Sequence, residues 1–147
     1  MKLYTSPTPG NGYKAELFLN LLNLDFEREY VKLNLSTNSH KTPQFLALNP
    51  RGQVPILEDD GLVLWESQSI LVYLAKKYAD ESWFPQEPAA LAEVARWMAF
   101  SGMEVDSLAY ARRIRLFGWD QDLTPHQEKG IAGLEIMDAH LAQNEFL

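Results

Sequence analysis

The sequence predicts an α/β domain of order β-α-β-α-β-β-α over residues 1–79, followed by an all-helical stretch. Three observations carry this. Short apolar strands alternate with helical periodicity in the first half, an Asp59-Asp60-Gly61 turn joins two adjacent strands, and beyond residue 88 only helical spacing remains. The expected boundaries are an α/β domain at 1–79, a linker at 80–88 and a partial helical domain at 89–147.

Lys2 to Thr5 reads as the first strand. It runs into Ser6-Pro7-Thr8-Pro9-Gly10, where two prolines and a glycine block regular structure. A helix is expected from Asn11 to Leu22, with Asn11 as N-cap and Leu17, Phe18, Leu21 and Leu22 on its buried side. Asp25 to Leu33 is the second strand, which makes a right-handed β-α-β unit. The polar stretch Asn34 to Gln53 holds one amphipathic turn, Pro43 to Leu48, with Phe45 and Leu48 facing inward.

Pro55–Glu58 and Leu62–Trp65 form a hairpin, because Asp-Gly favours the positive φ of a tight turn. From Ser67 to Tyr78 the apolar positions Ile70, Leu71, Leu74 and Tyr78 repeat at helical spacing, and Lys76 and Lys77 suit the negative end of the helix dipole. Ala89 to Phe117 is one long amphipathic stretch with a bend expected at Ser101-Gly102; Leu91, Val94, Ala95, Met98, Val105, Leu108 and Ala109 share its inner side. A last helix starts with Thr124 as N-cap, Pro125 at the first helical position and Gln127 completing a capping box, its inner stripe being Ile131, Leu134, Met137 and Leu141.

Composition narrows the function. The 147 residues carry a net charge of −7, and no apolar run nears the roughly 18 residues of a membrane span, so a soluble, cytoplasmic protein without a signal peptide is expected. Eight basic and nine acidic groups give −1 over residues 1–80, while five and eleven give −6 over 81–147. Such an acidic surface disfavours nucleic acid. The exception, Arg112-Arg113-Ile114-Arg115, reads as a solvated or salt-bridged helix face. With no cysteine, disulfides, thiolate metal sites and cysteine nucleophiles are excluded. Three histidines offer no metal site, since His126 and His140 fall about 21 Å apart along one helix at 1.5 Å per residue, and both are expected at the surface.

The most informative segment is Asn49-Pro50-Arg51-Gly52-Gln53-Val54-Pro55, followed by Glu66-Ser67. Pro55 cannot donate into a sheet ladder, and Val54-Pro55 ends a loop with backbone groups free. A cis bond, found for roughly 5–6% of X-Pro pairs, would let Val54 offer both its N–H and C=O to an extended peptide. This block resembles the glutathione-binding half of cytosolic glutathione transferases, whose fold is thioredoxin-like. Without a cysteine of its own, a chain of that fold must take its thiol from a ligand.

The resemblance implies glutathione as co-substrate, bound through named positions. Glu66 and Ser67 hold the γ-glutamyl end, Ser67 at a helix N-terminus that favours a carboxylate. Val54, ahead of Pro55, pairs with the cysteinyl backbone as an added strand, and Gln53 stands beside it. His40 and Lys41 match a His-Lys pair that takes the glycyl carboxylate in several relatives. Phi-class enzymes place a thiolate-stabilising serine where this chain has Pro9, which has no donor. The loop is also similar to the Thr-Pro-Asn-Gly-x-Lys motif of nu-class enzymes and to the Ser-Gly-Asn-x-Tyr-Lys of another bacterial group, and on either alignment Asn11 is retained. Asn11 and Thr8 are therefore the expected thiolate donors, with Ser6 as an alternative hydroxyl and Tyr4 a weaker candidate.

The implied activity is conjugation of the glutathione thiolate to small electrophiles, with a pocket near Met103, Tyr110 and Arg113. Disulfide reduction by glutathione is the alternative from the nu-like loop. A non-catalytic interaction module of translation or transcription assemblies is the second. A homodimer through the helices beginning at Ser67 and Ala89 is also implied. Since family members continue into further helices, the helical domain is expected to be a shortened one. Gly10-x-Gly12-x-x-Ala15 formally matches a dinucleotide fingerprint, but Pro7 and Pro9 separate it from the strand and the hairpin does not suit a doubly wound sheet.

Overall fold

The computed structural model describes residues 1–7, 10–33 and 37–147. Two compact units divide the chain, Met1–Phe84 and Pro85–Leu147. No helix among the described residues is long and apolar enough to cross a membrane.

The first unit has a four-stranded sheet of order β2-β1-β3-β4, built from β1 (Lys2–Thr5), β2 (Glu27–Tyr30), β3 (Ile56–Asp59) and β4 (Leu62–Trp65). β1 pairs parallel with β2 and antiparallel with β3, which pairs antiparallel with β4. The helices are α1 (Asn11–Leu21), α2 (Pro43–Leu48) and α3 (Ser67–Tyr78). The order is β-α-β-α-β-β-α and the fold is thioredoxin-like. Alternation along β1 sends Leu3 and Thr5 inward and leaves Lys2 and Tyr4 on the other face. The core joins Leu3 and Leu57 of the sheet to Ala15 and Leu19 of α1 and Ile70 and Leu74 of α3. In β3 both Ile56 and Leu57 are buried, as befits a strand covered on both faces.

Several sequence expectations change at this level. α1 fully buries Gly12, Ala15 and Leu19, and Phe18 and Leu22 pack partly buried against the same core as expected, while Leu17 and Leu21 are exposed. The reason is close packing: a Cβ on Gly12 would lie 2.2 Å from the Thr5 hydroxyl oxygen, so the small residues face the sheet. Gly10, not Asn11, is the N-cap, and no side chain caps the helix. β2 is four residues long and exposed throughout, shorter than Asp25–Leu33. Around residue 42, Thr42 caps α2 by accepting from the Phe45 N–H at 3.2 Å.

In the second unit α4 (Pro88–Phe100) passes through a five-residue π-helical segment, Ser101–Val105, into α5 (Asp106–Phe117). The expected bend is thus a wider helical turn, where Ser101 Oγ donates to the Met98 carbonyl at 2.9 Å. Gly118, left-handed at φ 64°, ends α5. α6 (Thr124–Leu141) packs on α5 and the π segment through Gly130 and Gly133, both buried. Ile131, Leu134 and Leu141 are exposed instead of forming an inner stripe. The capping box is also absent: Thr124 is already helical, and its N–H goes to Asp122 Oδ1 at 2.9 Å. His126 and His140 are half-buried, their rings 4.6 Å from Tyr110 and 4.8 Å from Trp97 respectively, so neither is a plain surface residue.

Candidate functional site

Topology fixes which residues meet at one end of the sheet. β1 and β4 run in the same direction, both antiparallel to β3, and each is followed by a helix that turns back along the sheet. The N-termini of α1 and α3 therefore stand at the same sheet end. β3 starts there too, since Ile56 pairs with both Tyr4 and Trp65, and Val54 and Pro55 lead into it. β2 ends beside Thr5 at the same edge. Asn11, Val54, Pro55, Glu66 and Ser67 share this end.

The loop from Asn49 to Gln53 is organised by one buried side chain. Asn49, 3% exposed, accepts the Arg51 N–H on Oδ1 at 2.9 Å and donates from Nδ2 to the Gln53 carbonyl at 2.8 Å. Its own carbonyl accepts the Gly52 N–H at 2.8 Å. Gly52 is left-handed at φ 60°, and a Cβ there would press to 2.7 Å from Lys41 Cγ. On the other side, His40 Nε2 lies 3.2 Å from the Gly52 carbonyl. His40 and Lys41, eleven or more positions upstream, are thereby held against the loop that leads into Val54. The Val54–Pro55 peptide is cis.

Glu66 precedes α3 at φ 73°, a left-handed value in a non-glycine residue. Its carboxylate pairs with the Arg51 guanidinium across the site. Ser67, the first residue of α3, is 6% exposed, and the free N–H groups and dipole of this twelve-residue helix favour an anion there. The structure thus brings together His40, Lys41, Gln53, Val54, Pro55, Glu66 and Ser67. Asn11 is exposed at the start of α1. Thr8 lies outside the described residues.

Tyr4 is removed from the candidate donors. Its hydroxyl donates to Glu58 Oε1 at 3.3 Å, on the sheet face away from α1 and α3. Partial burial and the neighbouring Glu58 push its pKa up, which disfavours the phenolate and weakens it as an acid. Within the helical unit, Met103 projects from the π segment, 68% exposed. Tyr110 donates to Gln121 Oε1 at 3.2 Å and lies under the Arg113 guanidinium, which also pairs with Asp106 at 3.8 Å. Among the described residues no cluster of three or more His, Asp or Glu side chains is placed to hold a metal.

Two residues escaped sequence reasoning. Asn49 and Arg51 belong to the informative block, but the part each plays arises only in the folded loop. The pattern Asn-x-Arg-Gly, an Asn two residues before an N–H it can bond, was the available signal for Asn49.

The family model described as glutathione S-transferase, N-terminal domain, matches residues 1–76. Glutathione S-transferase 3 of Zea mays is 36% identical over 156 aligned residues, covering 100% of this chain and 69% of the relative. A probable elongation factor 1-gamma 2 of Arabidopsis thaliana is 33% identical and covers 92% of this chain, which spans only 35% of that protein. A crystal structure of a glutathione S-transferase from Pseudomonas fluorescens superposes with a TM-score of 0.87 at 33% identity, over 99% of this chain and 74% of that one. The chain belongs to the glutathione S-transferase family.

Proposed function

We propose that this chain binds glutathione at the sheet end between α1 and α3 and transfers its thiolate to small electrophiles. Family members use glutathione as co-substrate. The observation that carries the reading is the grouping of charged side chains and a helix N-terminus around the loop that leads through Val54 into β3. Glu66 opens α3 at the sheet end where Val54 and Pro55 lead into β3 and pairs with Arg51, and His40 and Lys41 pack against Gly52 in the same loop. Glutathione is a tripeptide with an amino acid terminus, a backbone and a second carboxylate, in that order. Glu66 and Ser67 take the γ-glutamyl end, Val54 pairs with the cysteinyl backbone beside Gln53, and His40 and Lys41 take the glycyl carboxylate.

The reaction needs a thiolate. The proton of the glutathione thiol leaves to solvent, the sulfur attacks an electrophilic carbon, a C–S bond forms and the leaving group departs with the bond pair. Lowering a thiol pKa by two to three units is about 3–4 kcal/mol of preferential stabilisation of the anion. Asn11 and Thr8 supply it, Asn11 through its side-chain NH₂ at the start of α1 and Thr8 through its hydroxyl. Titration with glutathione, followed by turnover of a chlorodinitrobenzene probe, tests the reading. Saturable binding weakened about tenfold or more by Ser67→Ala is expected for loss of a charge-assisted hydrogen bond. Following the thiolate absorption band across pH then assigns Asn11: its pKa rises in Asn11→Ala, and an unchanged value removes Asn11 from the mechanism.

The similarity to an elongation factor 1-gamma favours a second reading, a non-catalytic module. Glutathione binding without turnover, or neither, supports it. The family is typically dimeric, and we extend this to a homodimer through α3 and α4, which sedimentation velocity tests.

A further inference from the structure

The glutathione reading leaves Arg51 without a part. Arg51 and Glu66 form an ion pair between loops fifteen residues apart in sequence. Their side chains are 55% and 48% exposed, so the pair contributes little to stability. Both ends are nevertheless fixed. The Arg51 N–H is bonded to buried Asn49, and Glu66 is held at φ 73° directly ahead of buried Ser67. A left-handed backbone at a non-glycine residue is unfavourable, and a weak exposed ion pair does not offset it; such strain persists where a ligand benefits from the placement.

We propose that Arg51 makes the site selective for a zwitterionic α-amino acid terminus, by an exchange of partners with Glu66. This rests on the glutathione reading, in which Glu66 and Ser67 already face the γ-glutamyl end; Arg51 and the exchange are additional. In the free protein each charge neutralises the other. On binding, Glu66 releases Arg51 and accepts the ligand ammonium, while the guanidinium turns to the carboxylate of the same terminus and shares it with Ser67 and the α3 N-terminus. The exchange conserves the number of ion pairs only when the ligand brings both charges. A ligand with one charge breaks the Arg51–Glu66 pair and leaves one partner without a counter-charge. The planar guanidinium fork suits a carboxylate, which lysine does not reproduce.

The test is calorimetric titration of the full chain and Arg51→Met with three ligands. These are glutathione, N-acetylglutathione without the ammonium, and the analogue without the γ-glutamyl carboxylate. Wild type is expected to bind either analogue about tenfold or more weakly than glutathione, the scale of one charged hydrogen bond. Arg51→Met is expected to lose the same factor for glutathione but no further affinity when the carboxylate is absent. Arg51→Lys should recover only part of the loss. Thermal unfolding of each variant near the wild-type temperature confirms that binding alone has changed. If Arg51→Met binds glutathione as wild type does, or loses equally with and without the ligand carboxylate, the exchange is overturned and the glutathione reading stands. If wild type binds no glutathione at millimolar concentration, both fall.

Discussion

Lys77 Nζ lies 2.8 Å from Asp59 Oδ2, joining the last turn of α3 to the end of β3. The same carboxylate oxygen accepts the hydroxyls of Tyr73 at 2.8 Å and Tyr78 at 2.6 Å, and Lys77 also reaches Asp60 Oδ2 at 2.5 Å. Asp59 is 5% exposed. The ammonium sits where the α3 dipole is negative, so helix, hairpin and side chains all favour it. This cluster ties down the far end of the helix whose near end carries Ser67.

Asp59 should give the protein an acid limb in its stability. Burial works to raise its pKa, but the hydrogen bonds from Lys77, Tyr78 and Tyr73 outweigh it and hold the carboxyl below the usual range. A depressed carboxyl contributes stability that is full above its unfolded pKa, about 3.9, and is lost as pH falls through the folded value. Asp59→Asn is therefore expected to destabilise by about 1–2 kcal/mol at pH 7, since Lys77 is partly exposed and keeps Asp60 as a partner, and by less at pH 3. Urea unfolding at both pH values measures it. An equal loss at both would show that the charge is not what stabilises the cluster.

Gly12 and Thr5 should be coupled. A Cβ at Gly12 meets Thr5 Oγ1 at 2.2 Å, and Thr5 is itself 1% exposed. Gly12→Ala is expected to destabilise by about 1–3 kcal/mol through overpacking. In a Thr5→Ala background the same change should be much milder. A double-mutant cycle on unfolding free energies reads the difference directly, and additive losses would place the strain elsewhere.

The seam of α6 makes a parallel case. Gly130 allows Leu108 of α5 to approach so closely that a Cβ would lie 2.3 Å from its Cγ. Gly130→Ala should destabilise by about 1–3 kcal/mol despite its gain in helix propensity. Combining it with Leu108→Val should recover part of the loss in thermal unfolding. A stabilised single variant would contradict the packing.

These glycines explain what the sequence concealed. Hydrophobic periodicity gives α3 its observed bounds, because Ile70 and Leu74 are both large and buried, as are their partners Leu3 and Leu57, and the Asp-Gly turn gives β4 its own. Periodicity finds Phe18 and Leu22 on α1 but not the closest approach there, and it misses the inner face of α6, because these contacts are made by Gly12, Ala15, Gly130 and Gly133, small residues with little hydropathic signal. At the site, Glu66 and Ser67 were legible as a pair at a helix start. The Arg51 partner was not, since fifteen residues and a hairpin separate it from Glu66. Nor was the occupation of Tyr4, which follows from the β1–β3 register that puts Glu58 diagonally across from it.

Asn49 should link stability and ligand affinity through the loop it organises. Its side chain makes two hydrogen bonds inside a buried environment, to the Arg51 N–H and the Gln53 carbonyl. Asn49→Ala removes both and is expected to cost about 2 kcal/mol, at about 1 kcal/mol for each bond. Asn49→Asp separates the two, because a carboxylate still accepts from the Arg51 N–H but has no donor for the Gln53 carbonyl. The Asp variant should keep Arg51 in place yet release the turn before Val54. Glutathione affinity should then fall in both variants, further in Asn49→Ala, where Arg51 is also freed. Chemical denaturation and titration of the same three proteins test this. Equal affinities with lowered stability would confine Asn49 to the fold and detach the loop from the site.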